Sequence, residues 1–112
     1  VIVPSSVSLE DLVDDYIYQY HFKMFPVIQE PDKLIGSITT KQVKEIPRDA
    51  WGTKTVGEVA VPCSAKNTIE PEADSVQALA LMRKYGSSRL LVAEGGHLVG
   101  IITLKDLVKY ED

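Results

Sequence analysis

The residues best suited to binding a small molecule lie in the string of residues 100–106, near the end of the chain. Thr103 supplies a hydroxyl group, and Asp106 supplies a carboxylate three residues later, on the same side of a predicted first helical turn. A carboxylate accepts hydrogen bonds strongly and can accept them from both hydroxyls of a ribose diol. Because the same carboxylate would repel a phosphate, a separate cation has to bind that group.

Arg89 is the candidate cation, since a guanidinium can donate two parallel hydrogen bonds to one phosphate. It follows a Gly-Ser-Ser stretch at residues 86–88 and begins a predicted strand. Its alternative role is a surface ion pair, which contributes little stability. Lys41 and Lys105 flank two predicted helix starts and would add positive potential. Lys23 lies near the place in the first half of the chain that corresponds to Arg89.

Thr103 and Asp106 also have a purely structural alternative, because Thr-x-x-Asp is a helix-capping arrangement. A matching string, residues 36–42, ends in Gln42 where the later string ends in Asp106. Glutamine caps a helix about as well, but it carries no charge and is a poorer acceptor for two hydroxyls. Capping therefore explains both strings, whereas a diol site is favoured only in the second.

The two strings belong to an internal repeat that divides the chain into two similar copies. Residues 2–12 align with residues 69–79, and residues 34–39 align with residues 98–103. The first copy carries a short insertion, which we place within residues 18–24. Two copies indicate a pair related by a pseudo-two-fold axis.

Hydrophobic spacing and turn residues predict the same order of elements in each copy: strand, helix, strand, strand, helix. This order gives a mixed α/β (α+β) fold class. The hairpin strands are predicted at residues 24–28, 34–38, 89–93 and 98–102, the last helices at residues 40–46 and 104–110, and helix caps at Ser8 with Asp11 and at Asp74 with Gln77.

Repeat 1 is predicted to span residues 1–46 and repeat 2 residues 59–112, with a linker at residues 47–58. Trp51, within this linker, is interpreted as a packing anchor onto one copy rather than a platform on which a base stacks. A short helical turn is predicted at residues 55–60.

Composition and charge exclude several classes of protein. The chain has 112 residues, of which 45% are hydrophobic and 25% charged, as in ordinary globular domains. A net charge of −4 without a Lys/Arg cluster argues against nucleic-acid binding. No apolar run reaches the length of a membrane span.

Sequence motifs for catalysis or for metal binding are missing as well. His21 and His97 are the two histidines, far apart in sequence, and no zinc, phosphate-loop or nucleophile motif occurs. We therefore expect no enzymatic activity, no metal and no cofactor. Cys63 is the single cysteine, so no internal disulfide forms and a cytoplasmic location is expected. A start at Val1 instead of Met, without a signal peptide, suggests a piece of a longer protein.

The two copies resemble a tandem pair of cystathionine-β-synthase (CBS) domains, a Bateman module. The strings that carry the resemblance are residues 56–59, 69–76, 89–92 and 98–106. Residues 43–51 with 55–59 also look like CBS pairs fused behind site-2-type intramembrane zinc metalloproteases, which implies a parent protein embedded in a membrane. The zinc motif of those proteases is absent from this chain.

This resemblance implies regulation rather than catalysis, because CBS pairs commonly bind AMP, ADP, ATP or S-adenosylmethionine in clefts between the two copies. It implies that Thr103 and Asp106 hold the ribose and phosphate side of such a ligand, with Lys105 beside them. Arg89 would contact a phosphate, although the usual preceding histidine is Ser88 here.

The resemblance also implies how the base is held. Residues from Ala65 through Thr68 to Ile69 match the strand entry whose backbone reads the adenine edge. Ile101 and Leu90 would form walls for the base.

Two further expectations follow from the family. The first copy departs from the binding pattern at Gln42, so we expect one competent site rather than two. CBS pairs tend to dimerise through helical faces, which implies a homodimer. The alternative function is a structural dimerisation or docking module that binds no small molecule.

Overall fold

The computed structural model describes residues 1–20 and 24–108. The chain divides into two compact units, Val1–Pro62 and Cys63–Asp112. Each unit combines a small sheet with helices in the order strand, helix, strand, strand, helix, so the predicted α+β class and element order are confirmed. His21, Lys23 and the predicted helix end at Tyr110 lie outside the described residues.

Unit 1 is built on a four-stranded sheet. Its strands are β1 (Val3–Pro4), β2 (Phe25–Gln29), β3 (Lys33–Ile38) and β4 (Val61–Pro62), in the order β1-β2-β3-β4. β1 runs parallel to β2, and the other two pairs are antiparallel. The core of this unit consists of buried apolar side chains from sheet and helices: Val3, Leu9, Leu12, Phe25, Val27, Ile38, Val43 and Val56.

The first helical segment of unit 1 changes its winding midway. It consists of α1 (Leu9–Asp11), a π-helical stretch (Leu12–Ile17) and α2 (Tyr18–Tyr20). Ser8 Oγ accepts a hydrogen bond from the Asp11 amide at 3.1 Å, which confirms the predicted cap. The π-helical winding was not predicted, because apolar spacing alone does not distinguish it from an α-helix.

Residues 47–58 pack onto unit 1. They carry a 3₁₀ turn (Arg48–Ala50) and α4 (Val56–Val59), after α3 (Thr40–Lys44). Trp51 packs against the core and its indole Nε1 donates to the Ile46 carbonyl oxygen at 3.0 Å, which confirms its role as an anchor. The structure draws the boundary between units after Pro62, because β4 pairs with β3.

Unit 2 has a three-stranded sheet with two helices. Its elements are β5 (Thr68–Ile69), α5 (Ser75–Tyr85), β6 (Arg89–Glu94), β7 (His97–Thr103) and α6 (Leu104–Val108), and the sheet order is β5-β6-β7. β5 runs parallel to β6, and β6 runs antiparallel to β7. Ala78, Met82, Leu90 and Leu107 form the buried core.

Local signals fix the ends of these elements. Asp74 and Gln77 bond reciprocally at the start of α5, with the Gln77 amide donating to Asp74 Oδ1 at 2.9 Å, as predicted. Gly95 and Gly96 adopt φ values of +59° and +84° in the turn between β6 and β7. Few residues other than glycine adopt that conformation without strain, so these two glycines specify the turn. This turn sets the register in which β6 pairs with β7.

Candidate functional site

Thr103 and Asp106 hold each other across the start of α6. The Asp106 amide donates to Thr103 Oγ1 at 3.1 Å, and the Thr103 amide donates to Asp106 Oδ2 at 3.3 Å. The Leu104 amide donates to the Ser88 carbonyl oxygen at 2.8 Å, which ties the start of α6 to the residue before β6. The capping role of this pair is confirmed, and the Asp106 side chain is nevertheless exposed to solvent.

Unit 1 has the matching cap at the start of α3. The Thr39 amide donates to Gln42 Oε1 at 2.7 Å, and the Lys41 amide donates to Thr39 Oγ1 at 3.2 Å. The two units therefore share the capping geometry and differ in charge, with a neutral amide at Gln42 and a carboxylate at Asp106.

Arg89 lies directly opposite Thr103 in the antiparallel β6–β7 ladder. Side chains of such partners stand on the same face of a sheet, with Cβ atoms roughly 5 Å apart. Arg89 is half-buried, and its Nη1 donates to Ser88 Oγ at 3.5 Å. The ladder thus groups Arg89, Thr103 and, one helical turn onward, Asp106. We call these three residues the sheet corner.

A row of three neighbouring residues continues this face of the sheet. Thr68 is the parallel partner of Leu91, and Leu91 is the antiparallel partner of Ile101. Because side chains two residues apart on a strand share a face, Leu91 lies on the Arg89 side of β6 and Ile101 on the Thr103 side of β7. Leu91 is 1% exposed and Ile101 is 38% exposed. Of this row, Thr68 and Ile101 were predicted as site residues.

Leu90 and Ile69 lie on the opposite face. Leu90 is 0% exposed and packs with Ala78, Met82 and Leu107, against which Ile69 also packs. A side chain enclosed by α5 and α6 cannot form a wall for a ligand on the other face. The structure therefore corrects the expectation for Leu90 and assigns it to the core. Ile69 instead borders an open surface depression of about 490 Å³ beside α5, which Thr68 and Gln77 also line.

The strand entry before β5 is shaped by a hydrogen-bonded turn. The Ser64 amide donates to Asn67 Oδ1 at 2.9 Å, and the Thr68 amide donates to the Ser64 carbonyl oxygen at 3.1 Å. Ala65 is exposed within this turn. The Leu91 amide donates to the Asn67 carbonyl oxygen at 2.9 Å, so the turn is held in register with β6.

Lys105 is exposed in the first turn of α6, next in sequence to the Asp106 carboxylate. Its ammonium group adds positive charge near the sheet corner without being fixed by a described ion pair. Lys105 and Arg89 are thus two cationic residues near Thr103, since Lys105 lies two positions along the chain and Arg89 is the ladder partner of Thr103.

Sequence reasoning missed the backbone role of Ser88 and the face of the sheet on which Leu90 lies. Counting by two from Arg89 along β6 gives Leu91, so Leu90 has the opposite parity and packs in the core. The contact of the Ser88 carbonyl with the Leu104 amide joins residues 16 positions apart, and no local pattern indicates it.

Metal binding and membrane insertion would require other features of residues 1–20 and 24–108. No group of three or more His, Cys, Asp or Glu side chains is placed there to hold a metal ion. No helix in that part of the chain has both the length and the apolar character needed to cross a bilayer.

Comparison with protein families matches residues 56–112 to the CBS domain. The chain is 27% identical over 110 residues to the putative zinc metalloprotease Rip3 of Mycobacterium tuberculosis, covering 97% of this chain and 28% of that protein. It is 37% identical over 108 residues to inosine-5'-monophosphate dehydrogenase of Methanocaldococcus jannaschii, covering 93% of this chain and 21% of that enzyme. The chain thus spans less than a third of either relative.

Solved structures share the fold over almost the whole chain. The CBS domain of the bacterial CNNM/CorC family Mg2+ transporter in complex with ATP superposes with a TM-score of 0.81 at 20% identity, covering 97% of this chain and 76% of that one. CBSX2 in complex with AMP gives a TM-score of 0.81 at 21% identity, covering 97% of this chain and 84% of that one. At these identities the likeness is one of fold.

Proposed function

This chain belongs to the CBS domain family of regulatory modules, and we propose that its second unit binds an adenosine-containing nucleotide and so controls a fused or partner protein. The observation that carries the proposal is the ladder register that sets Arg89 opposite Thr103, one turn from Asp106. A cation, a hydroxyl and a carboxylate at one corner of a sheet match the phosphate and ribose of one nucleotide.

Asp106 is proposed to accept hydrogen bonds from the ribose hydroxyls. Its side chain is exposed, and its position is fixed because Oδ2 accepts from the Thr103 amide at 3.3 Å. A carboxylate held in place by a cap loses little further side-chain entropy when it binds a diol. The cap and the ligand role are therefore compatible.

The phosphate is proposed to contact Arg89, with Lys105 contributing charge. A half-buried guanidinium forms stronger contacts to an anion than a fully solvated one, since it is less screened by water. These two cations favour AMP, ADP or ATP over S-adenosylmethionine, which bears a positive sulfonium in place of the phosphates.

The base is proposed to lie against Ile101 and Thr68, which are accessible, whereas Leu91 between them is buried. The exposed part of Ile101 gives an apolar surface for a flat ring, and the turn that holds Ala65 offers backbone groups to the ring edge. Two solved structures with the same fold are complexes with ATP and with AMP, which supports an adenine ligand.

Unit 1 is proposed to lack a second site of this kind. Gln42 stands where unit 2 has Asp106, and its Oε1 already accepts hydrogen bonds from both the amide and the hydroxyl of Thr39, at 2.7 and 2.8 Å. A neutral acceptor with two donors is a weak partner for a diol.

The proposal extends to assembly and location. We propose a cytoplasmic homodimer formed through apolar residues on exposed helix surfaces, of which Val76 (72% exposed) on α5 and Val108 (51% exposed) on α6 are examples. The lone Cys63 is consistent with a reducing compartment.

A structural docking module without a ligand is the second candidate. It is favoured by the reciprocal cap, because that cap alone would account for Thr103 and Asp106. The two candidates differ in one respect that can be measured, since only a ligand site needs the negative charge of Asp106.

Thermal unfolding with AMP, ADP, ATP and S-adenosylmethionine tests the proposal. A ligand that binds only the folded chain raises the melting temperature by mass action. We expect at least one nucleotide to raise the melting temperature of the wild type, and Asp106→Asn to lose most of this increase. Asp74→Asn alters an equivalent cap on α5 and should keep the full increase. An unchanged melting temperature with all four ligands at millimolar concentration would favour the docking module.

A further inference from the structure

β3 and β7 occupy matching positions in the internal repeat, but their edges differ. β3 is flanked by β2 on one side and by β4 on the other, with Gly36 opposite Pro62 and Ser37 opposite Val61. Within residues 1–20 and 24–108, β7 is paired with β6 alone, so its second edge carries no strand.

β4 runs so close to Gly36 of β3 that no side chain fits at this position. A Cβ built on Gly36 would lie 2.2 Å from the Val61 carbonyl oxygen and 3.2 Å from Pro62 Cα. The φ of Gly36 is outside the left-handed region, so its conformation alone does not demand glycine. The absent side chain is explained by the close backbone of β4.

Gly100 is the repeat counterpart of Gly36, and no described contact explains it. No atom of the described residues lies within 4 Å of the position that its Cβ would take, and its φ is also outside the left-handed region. Glycine within a strand costs about 0.5–1 kcal/mol relative to alanine. Its neighbours Val99 and Ile101 are 59% and 38% exposed, which leaves an apolar edge in contact with water.

We propose that the free edge of β7 is a docking site for an extended polypeptide segment that is not part of residues 1–112. The segment adds as an antiparallel strand, and Gly100 leaves room for its backbone as Gly36 does for β4. This inference rests on the internal repeat and does not require nucleotide binding, but the segment and the proposed base would both contact Ile101.

The chemistry of β4 defines the segment that fits. Val61 and Pro62 are a β-branched apolar residue followed by a proline, which lacks an N–H and is suited to an outer strand. Strand addition takes its affinity from main-chain hydrogen bonds and its specificity from alternate side chains. We therefore expect a short apolar segment with valine or isoleucine before proline, placed against Val99 and Ile101.

The test uses the intact chain and a synthetic, end-capped peptide that copies residues 58–64, with serine in place of the cysteine. Amide hydrogen exchange monitored by NMR should show new protection at residues 99–101 when the peptide is added. A control peptide with two glycines in place of the Val-Pro pair should give no protection.

Gly100→Ala and Gly36→Ala form a matched pair of variants. Gly100→Ala should keep or raise the melting temperature of the wild type, because nothing obstructs the new methyl group in the free chain. It should weaken the affinity for the peptide by about tenfold or more, because that methyl group obstructs the incoming backbone. Gly36→Ala should lower the melting temperature, since it displaces β4.

Three results would overturn the proposal. These are no protection at millimolar peptide, equal peptide affinity in wild type and Gly100→Ala, and a melting temperature of Gly100→Ala that falls as far as that of Gly36→Ala. The wild type could also self-associate in a way that Gly100→Ala abolishes and that the peptide does not inhibit. That result would assign the edge to a second copy of the chain instead.

Discussion

At the scale of single residues, the two roles of Asp106 are separable by substitution. Its Oδ2 accepts the cap hydrogen bond from the Thr103 amide, and the side-chain oxygen of asparagine can accept the same bond. The negative charge, which the ribose diol would use, is lost in asparagine. Stability therefore reports on the cap, and ligand affinity reports on the charge.

Removing the cap acceptor should destabilise the chain modestly. We expect Asp106→Ala to lower the free energy of unfolding by about 1 kcal/mol, and Asp106→Asn to lower it by less. Gln42→Ala is the matched control, because Gln42 completes the same cap in unit 1. Urea denaturation measures all three. A larger loss in Asp106→Asn than in Asp106→Ala would contradict this account of the cap.

Truncation of Leu90 should cost more stability than truncation of Ile101, and only the latter should weaken nucleotide binding. Leu90→Ala removes a fully buried side chain from the unit 2 core and should cost about 3 kcal/mol of unfolding free energy. Ile101→Ala removes a side chain that is 38% exposed and should cost about 1 kcal/mol. Nucleotide affinity should fall in Ile101→Ala. If Leu90→Ala were the milder change in denaturation experiments, the assignment of the two sheet faces would be wrong.

At the scale of elements, residues close in sequence were predictable and distant pairings were not. The caps at Ser8 and Asp74 and the Gly95–Gly96 turn depend on residues within one turn of each other, so a local pattern specifies them. The same holds for the cap at Thr103, which could therefore be predicted from the sequence.

The features that escaped prediction depend on pairing or on winding. β4 belongs to unit 1 because Val61 lies opposite Ser37, a contact with no local signature. The π-helical stretch Leu12–Ile17 keeps its apolar residues on one side, as an α-helix would. Leu90 was expected from the family resemblance to form a wall for the base, but its parity relative to Arg89 places it on the core face of β6.

The packing of residues 47–58 onto unit 1 gives a prediction about an element. Trp51→Phe keeps an aromatic ring but removes the indole donor to the Ile46 carbonyl, and it should cost about 1 kcal/mol. Val56→Ala truncates a side chain that is 0% exposed and should cost about 2 kcal/mol. Thermal unfolding checks both. If neither variant lowered the melting temperature, these residues would behave as a free linker.

At the scale of the whole molecule, binding and assembly are the properties that a regulatory module needs. Each unit has its own core, so the nucleotide proposed for unit 2 would bind a sheet corner that is already formed. The chain covers less than a third of the length of the relatives described above.

Assembly yields a further prediction at this scale. Val76 is 72% exposed near the start of α5, and a charged residue there is compatible with a folded helix. Val76→Asp should weaken dimerisation in sedimentation equilibrium while leaving the melting temperature of dilute protein unchanged. A wild-type chain that stays monomeric at all concentrations would contradict the proposed homodimer.

The most direct test is a calorimetric titration of AMP into the wild-type chain and into Asp106→Asn. The account predicts saturable heat with one site per chain in the wild type, and affinity about tenfold weaker or more in the variant, a loss of about 1.4 kcal/mol of binding free energy. Equal affinity in the two proteins, or two equivalent sites per chain, would contradict it.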